Sequence, residues 1–174
     1  YDGYDDARNL SDCTIETHAQ DIETVLAHFK DSYKQMYLVG HSLGGPSILF
    51  ANIEPVTSVV FWDPSFDIVK GVAEEMHFDK TINKHILKWG TEFLLSEKTV
   101  ESWKHMGINL LNKFSKPTKI ICAGEETLYK PWQEHLFEFK TEVELKIIPG
   151  ADHCFHHGET QKELFEETLK WFEK

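Results

Sequence analysis

The strongest constraint in the sequence is a junction. Met36-Tyr37-Leu38-Val39 is a short apolar run that leads without a spacer into Gly40-His41-Ser42-Leu43-Gly44-Gly45, and Leu43 to Ile53 then carries a helical pattern. An apolar run of that length ending at glycine reads as a strand buried on both faces, as in a parallel sheet covered by helices. A chain that passes from strand to helix around a Gly-x-Ser-x-Gly pattern holds its serine at a sharp bend. The bend strains the backbone, the flanking glycines relieve Cβ clashes, and the serine oxygen is pushed clear of the sheet.

The surrounding sequence repeats this alternation of strand and helix. Between Thr14 and Tyr33 the apolar positions Ile15, Ala19, Ile22, Leu26 and Phe29 fall on one helical face. Val56 to Trp62, rich in valine and aromatics, reads as a second buried strand ended by Asp63-Pro64. Lys119 to Ala123 reads as a third, closed by Gly124, and Val143, Leu145 and Ile147 alternate with charged residues as a half-exposed fourth at an edge. Helical patterns around Trp132 to Phe139 and Glu159 to Phe172 complete an α/β architecture with a mostly parallel sheet flanked by helices and right-handed crossovers. Residues 1–66 and 116–174 form the expected core. The stretch 67–115 reads as an insertion without a strand signal, dense in Val72, Met76, Phe78, Ile86, Trp89, Phe93, Leu94, Trp103, Met106 and Leu111, and is expected to be a helical cap.

Composition narrows the partners. A net charge of −11 repels phosphate backbones and anionic membrane surfaces, and no basic stripe offsets it, so nucleic acid is not an expected partner. Cys13, Cys122 and Cys154 are odd in number and scattered, which gives neither a disulfide framework nor a zinc spacing and fits a reducing, cytoplasmic setting. No run approaches the ~18 apolar residues of a membrane span. With five tryptophans and twelve phenylalanines the chain has the material for an aromatic core or pocket.

The junction around Ser42 resembles the nucleophile elbow of the α/β-hydrolase family, and the order of elements is similar over nearly the whole chain. The resemblance implies that Ser42 is a nucleophile and that the backbone N–H of Leu43 is an oxyanion donor. The family carries its histidine in a loop after the last strand, where Gly150-Ala151-Asp152-His153 follows Lys146-Ile147-Ile148-Pro149, making His153 the base. An imidazole, with a pKa of about 6.5, can take the serine proton at neutral pH and return it to a leaving alkoxide. His156 and His157 are expected to be neighbours without a role, and no metal or cofactor is expected.

The acid departs from the commonest family placement, because Thr127 stands at that position in Gly124-Glu125-Glu126-Thr127. Some members carry it instead at the end of the strand after the nucleophile helix, in an Asp-Pro context that Asp63 matches. Asp63 is therefore the first expectation, Glu126 the second and Glu125 the third. The chain opens on Tyr1-Asp2-Gly3-Tyr4 without an initiator Met. Tyr1 to Asp6 resembles the end of a strand and turn, so the family's earlier strands, and the loop bearing its second oxyanion donor, are expected to precede Tyr1. The function so implied is cleavage of small-molecule carboxylic esters with an apolar group through an acyl-Ser42 intermediate. Thioesterase, peptidase and acyl-transfer chemistry use the same residues, and a non-catalytic ligand-binding protein on this fold is the alternative from another class. Oligomeric state is left open.

Overall fold

A computed structural model describes residues 8–105, 108–125 and 128–174. The chain enters α1 (Ile15–Phe29) through a Thr14 cap: the Thr14 hydroxyl accepts the Thr17 N–H while the Thr17 hydroxyl accepts the Thr14 N–H, satisfying two donors at the helix start. Ile15, Ala19 and Leu26 are buried and Ile22 is partly buried, whereas Phe29, the last position of the expected stripe, lies exposed.

After α1 come β1 (Tyr37–His41), α2 (Gly44–Phe50) and β2 (Ser58–Trp62), and later β6 (Thr118–Ala123), α6 (Tyr129–His135), β7 (Val143–Ile148) and α7 (Gly158–Phe172). The four strands pair in the order β1-β2-β6-β7, all parallel. Strand parity then sorts the core. Val59 and Phe61 of β2, with Ile120 and Cys122 of β6, face Leu26, Ile48, Leu49 and Trp132 from α1, α2 and α6. Val60, Ile121 and Ala123 point the other way, onto Leu164 and Trp171 of α7. Each central strand is thus covered on both faces, which is why it reads as an unbroken apolar run. Among the described residues no helix is long and apolar enough to cross a membrane.

The insertion is not the helical cap expected from sequence. Besides the short helices α3 (Ile68–Gly71), α4 (Glu97–Trp103) and α5 (Ile108–Leu111), it holds β3 (Met76–Asp79), β4 (Lys84–Trp89) and β5 (Thr91–Leu95), paired antiparallel in the order β3-β4-β5. The physical reason is a period of two: Leu87 and Trp89 before Gly90, and Phe93 and Leu95 after it, share one face of a hairpin whose tip uses Gly90 at φ +67°. That face packs with Ile68, Val72, Val100 and Trp103 in a core of its own, which also includes Ile15 of α1.

One ion-pair cluster ties α7 to the sheet. The buried Lys119 ammonium lies 2.6 Å from Glu167 of α7 and 3.7 Å from Glu144 of β7. The hydrogen bond from Lys119, reinforced by Lys170, holds the Glu167 carboxyl down to about 2, from an ordinary value of 4.5. A carboxyl depressed by folding stabilises the folded state above its unfolded pKa, and that contribution is lost as pH falls through the folded value. Urea-unfolding midpoints should therefore fall between pH 4.5 and about 2, and Glu167→Gln should flatten that limb while lowering stability at neutral pH by leaving Lys119 with its more distant partner.

Candidate active site

The site forms where the parallel strands end, the edge at which open α/β sheets gather ligands. At the end of β1 the chain reaches Ser42, a non-glycine residue at φ +52°. Its N–H donates to the Trp62 carbonyl at 3.0 Å, carrying the β1–β2 ladder one residue further, and its carbonyl accepts the N–H groups of Gly45 and Ser65, each at 3.2 Å. The left-handed conformation, unfavourable for an L-residue, is thus held on both sides.

The glycines of the bend do not share the steric burden equally. A Cβ on Gly40 would lie 2.7 Å from the backbone carbon of Gly44, and one on Gly45 would lie 2.6 Å from the Pro64 ring, but one on Gly44 would meet open space. Close approach therefore requires Gly40 and Gly45. Gly44, expected from the motif to relieve a clash, does not.

Asp63 follows β2 and is fully buried, with φ +37°. Its N–H donates to Ile121 at 2.7 Å, and the carbonyl of the next residue, Pro64, accepts the buried Trp132 indole N–H at 2.7 Å. Burying a carboxylate is costly unless every oxygen finds a partner. One oxygen, Oδ1, accepts the Ala123 N–H at 3.0 Å, and the other, Oδ2, lies 2.6 Å from Nδ1 of His153.

His153 sits in the loop after β7. The loop turns at Gly150, φ +71°, and is anchored by Phe155, which is buried at φ +53° and donates its N–H to Asp152. The Asp152 carboxylate in turn accepts the His156 N–H at 2.9 Å and contacts the His156 ring at 2.8 Å. Across the site, His41 Nε2 donates to the His153 carbonyl at 2.8 Å, and the two rings lie 4.8 Å apart. Nε2 of His153 is 3.0 Å from Ser42 Oγ. Because the carboxylate only accepts, the network assigns the proton to Nδ1 and leaves Nε2 to accept from the serine hydroxyl.

Ser42 opens onto two adjoining cavities. One, of about 510 Å³, is lined by His41, His153, Cys154, Asp67, Val72 and Leu128. The other, of about 160 Å³, runs under the inserted sheet between Leu43, Leu87, Phe93, Leu95 and Trp103. Ser42, Ser65, Ile68 and Trp89 border both.

Ser42, His153 and Asp63, far apart in sequence, are thus brought together, with the Leu43 N–H one residue from the serine. Glu125 is exposed and only its backbone N–H engages the neighbouring loop, donating to Ala151 at 3.0 Å. Glu126 and Thr127 lie outside the described residues, as does Tyr1 to Asp6. His157 is exposed, and among the described residues no cluster of His, Cys, Asp and Glu is arranged to hold a metal. Burial pushes the Cys122 thiol well up, so that cysteine behaves as a core residue. Sequence reasoning missed His41 as a tether of the His153 loop. His41 and Ser42 border the same cavity, but nothing local to Gly40-His41-Ser42 indicates the distant His153 carbonyl as the partner of His41.

No protein-family model matches the chain, and no curated protein does. Solved structures do. Est1E from Butyrivibrio proteoclasticus, determined with ferulic acid bound, superposes with a TM-score of 0.74 at 21% identity, covering 94% of this chain and 71% of that one. The esterase domain of a Rhodothermus marinus protein gives 0.72 at 15% identity, over 94% of this chain and 70% of that one. MGS-MChE2, an α/β-hydrolase enzyme from the sediment metagenome of the Mar Chica lagoon in Morocco, gives 0.64 at 21% identity, over 97% and 75%. The chain has a partial α/β-hydrolase fold. In an α/β-hydrolase frame the bend at Ser42 is the strand-to-helix elbow, and Asp63 and His153 sit at two further strand exits.

The unequal steric load at the elbow has a measurable consequence. Gly40→Ala should cost about 1–3 kcal/mol in urea unfolding, as overpacking against backbone does. Gly44→Ala should be neutral or stabilising by up to about 1 kcal/mol, because Gly44 lies in α2 with free space around it.

Proposed function

We propose that the chain is a serine hydrolase that cleaves carboxylic esters through an acyl-Ser42 intermediate. The observation that carries this reading is the unbroken hydrogen-bonded series from Asp63 through His153 to Ser42 at the mouth of an apolar cavity. His153 Nε2 takes the Ser42 proton as Oγ attacks the ester carbonyl carbon, and the resulting imidazolium is stabilised by the buried Asp63 carboxylate. The negative charge that develops on the carbonyl oxygen is met by the Leu43 N–H, the one oxyanion donor this reading assigns within the chain.

Collapse of the tetrahedral species breaks the bond to the alcohol oxygen, which leaves with the proton now on His153 Nε2. Water then enters and gives one of its own protons to His153 as its oxygen attacks the acyl carbon, and the second collapse passes that proton to Ser42 Oγ while the carboxylic acid departs. Asp63 holds the ring in the tautomer this sequence needs. Asp63 Oδ2 lies 2.6 Å from Nδ1, which is the support for assigning the acid to Asp63 ahead of Glu126, the sequence's second choice. The esterases among the structural neighbours agree with the chemistry assigned to the site.

A fluorophosphonate probe should label the folded protein at Ser42, and Ser42→Ala should abolish both labelling and hydrolysis of p-nitrophenyl esters. Folded protein that stays unlabelled would instead mark a non-catalytic binding protein. Asp63→Asn should lower kcat about 10⁴-fold, because an amide that donates to Nδ1 forces the proton onto Nε2. Glu126→Gln should have a far smaller effect, and the reverse ranking would move the acid to Glu126. A peptide substrate that an ester of equal shape fails to outcompete would redirect the reading to a peptidase.

A further inference from the structure

We infer that the two cavities divide an ester between them, the acyl group entering the smaller cavity under the inserted sheet and the alcohol occupying the larger one; this rests on the ester-hydrolase reading above. The first argument is the path of one proton. The leaving alcohol oxygen must collect its proton from His153 Nε2, so the alcohol lies on the histidine's side of Ser42. His153 lines the larger cavity and not the smaller. The acyl carbon, bonded to Ser42 after the alcohol has left, then directs its chain away from His153, toward the second opening.

The chemistry of the two walls agrees. Among the described residues, beyond Ser42 and Ser65 at its mouth, the smaller cavity is lined by hydrocarbon and aromatic side chains: Leu43, Ile68, Leu87, Phe93, Leu95 and Trp103, with Trp89 at the edge. A polar or charged acyl group entering there would lose its water without replacement. The larger cavity sets His41, Asp67, His153 and Cys154 among its apolar residues and suits an alcohol with polar substituents.

Volume fixes the size class. At about 160 Å³ the smaller cavity is close to the ~150 Å³ apolar cavity that accommodates one benzene ring. The substrates assigned are therefore esters of short apolar carboxylic acids, of about six carbons or one aromatic ring, joined to a larger alcohol. The floor of this cavity is one face of the β4–β5 hairpin, where Leu87 and Phe93 are directly paired. Leu87 and Leu95 are buried in the insertion's own core, while Phe93 is only partly buried. Phe93 is thus the floor residue whose size can change with least damage to packing.

The test is a p-nitrophenyl ester series from acetate to decanoate, plus benzoate, run on the wild type, Phe93→Ala and Phe93→Trp. Ser42 labelling by fluorophosphonate and circular dichroism are measured on all three. In the wild type kcat/KM should climb about fourfold per methylene, the equivalent of about 0.8 kcal/mol of burial, up to hexanoate, then fall, with benzoate accepted. Phe93→Ala should move the optimum to longer chains and Phe93→Trp to shorter ones, while the ranking of hexanoate esters of methyl, benzyl and naphthylmethyl alcohols stays the same. A wild-type profile still rising at decanoate overturns the assignment, as does a Phe93 variant that reorders the alcohols and leaves the acyl optimum unmoved. Either result with Ser42 still labelled sinks this division alone. An unlabelled wild type sinks the hydrolase reading with it. Should Phe93→Ala fail to fold, the shift in Phe93→Trp decides.

Discussion

The arrangement turns on one buried charge. The Asp63 carboxylate has no access to water, and removing an ion of that size from solvent costs several kcal/mol even after the protein relaxes. It is tolerated because one oxygen takes the Ala123 N–H from β6 and the other meets the His153 ring from the loop after β7. Neither partner is near Asp63 in sequence. The carboxylate is satisfied only when β2, β6 and that loop are all in place. A slip of β6 by one residue against β2 would turn Ile120 and Cys122 to the face opposite Phe61 and carry the Ala123 N–H away from Oδ1. Sheet register and the geometry around His153 are therefore one constraint.

The same strand exits store the backbone strain. Ser42, Asp63 and Phe155 all adopt positive φ, each at a cost on the order of 1–2 kcal/mol for an L-residue. The compensation is local. Ser42 is held by the Trp62 carbonyl, Asp63 by the Ile121 carbonyl, and Phe155 by full burial and a turn bond to Asp152. Ser42 and Asp63 each directly follow a strand and turn a side chain toward His153, whereas Phe155 lies further along the loop after β7 and packs into the core with Leu164 and Trp171.

The core of the fold was legible because its signals are local. The runs at Val56–Trp62 and Lys119–Ala123 are unbroken since β2 and β6 are central strands covered on both faces, whereas β1, expected from the Met36–Val39 run to be buried on both faces, has one strand neighbour among the described residues, as β7 does, and leaves Val39 exposed. The bend at Ser42 was legible from glycine spacing, yet that spacing misassigned the steric role of Gly44, because only coordinates show what a Cβ would meet. Asp63 and His153 were reached through resemblance to a family, since nothing within either segment indicates that residues so far apart will meet. His41 went unread for the same reason: its partner, the His153 carbonyl, lies 112 positions away.

The insertion was misread for a different reason, and that reason bears on how the site is built. Its apolar density matches a helical stripe when counted over long windows, but Leu87, Trp89, Phe93 and Leu95 follow a period of two broken by a glycine at the hairpin tip. A sheet in that position does what a helix would not. Its alternate residues give one continuous face, part of which packs into the insertion's own core while the rest floors the cavity beside Ser42. Asp63, by contrast, takes both its partners, Ala123 and His153, from the parallel-sheet core. The wall that meets an apolar group can thus change in size at Phe93 or Trp89 without touching the buried carboxylate, so the shape of the pocket and the polar series at the strand ends rest on separate supports.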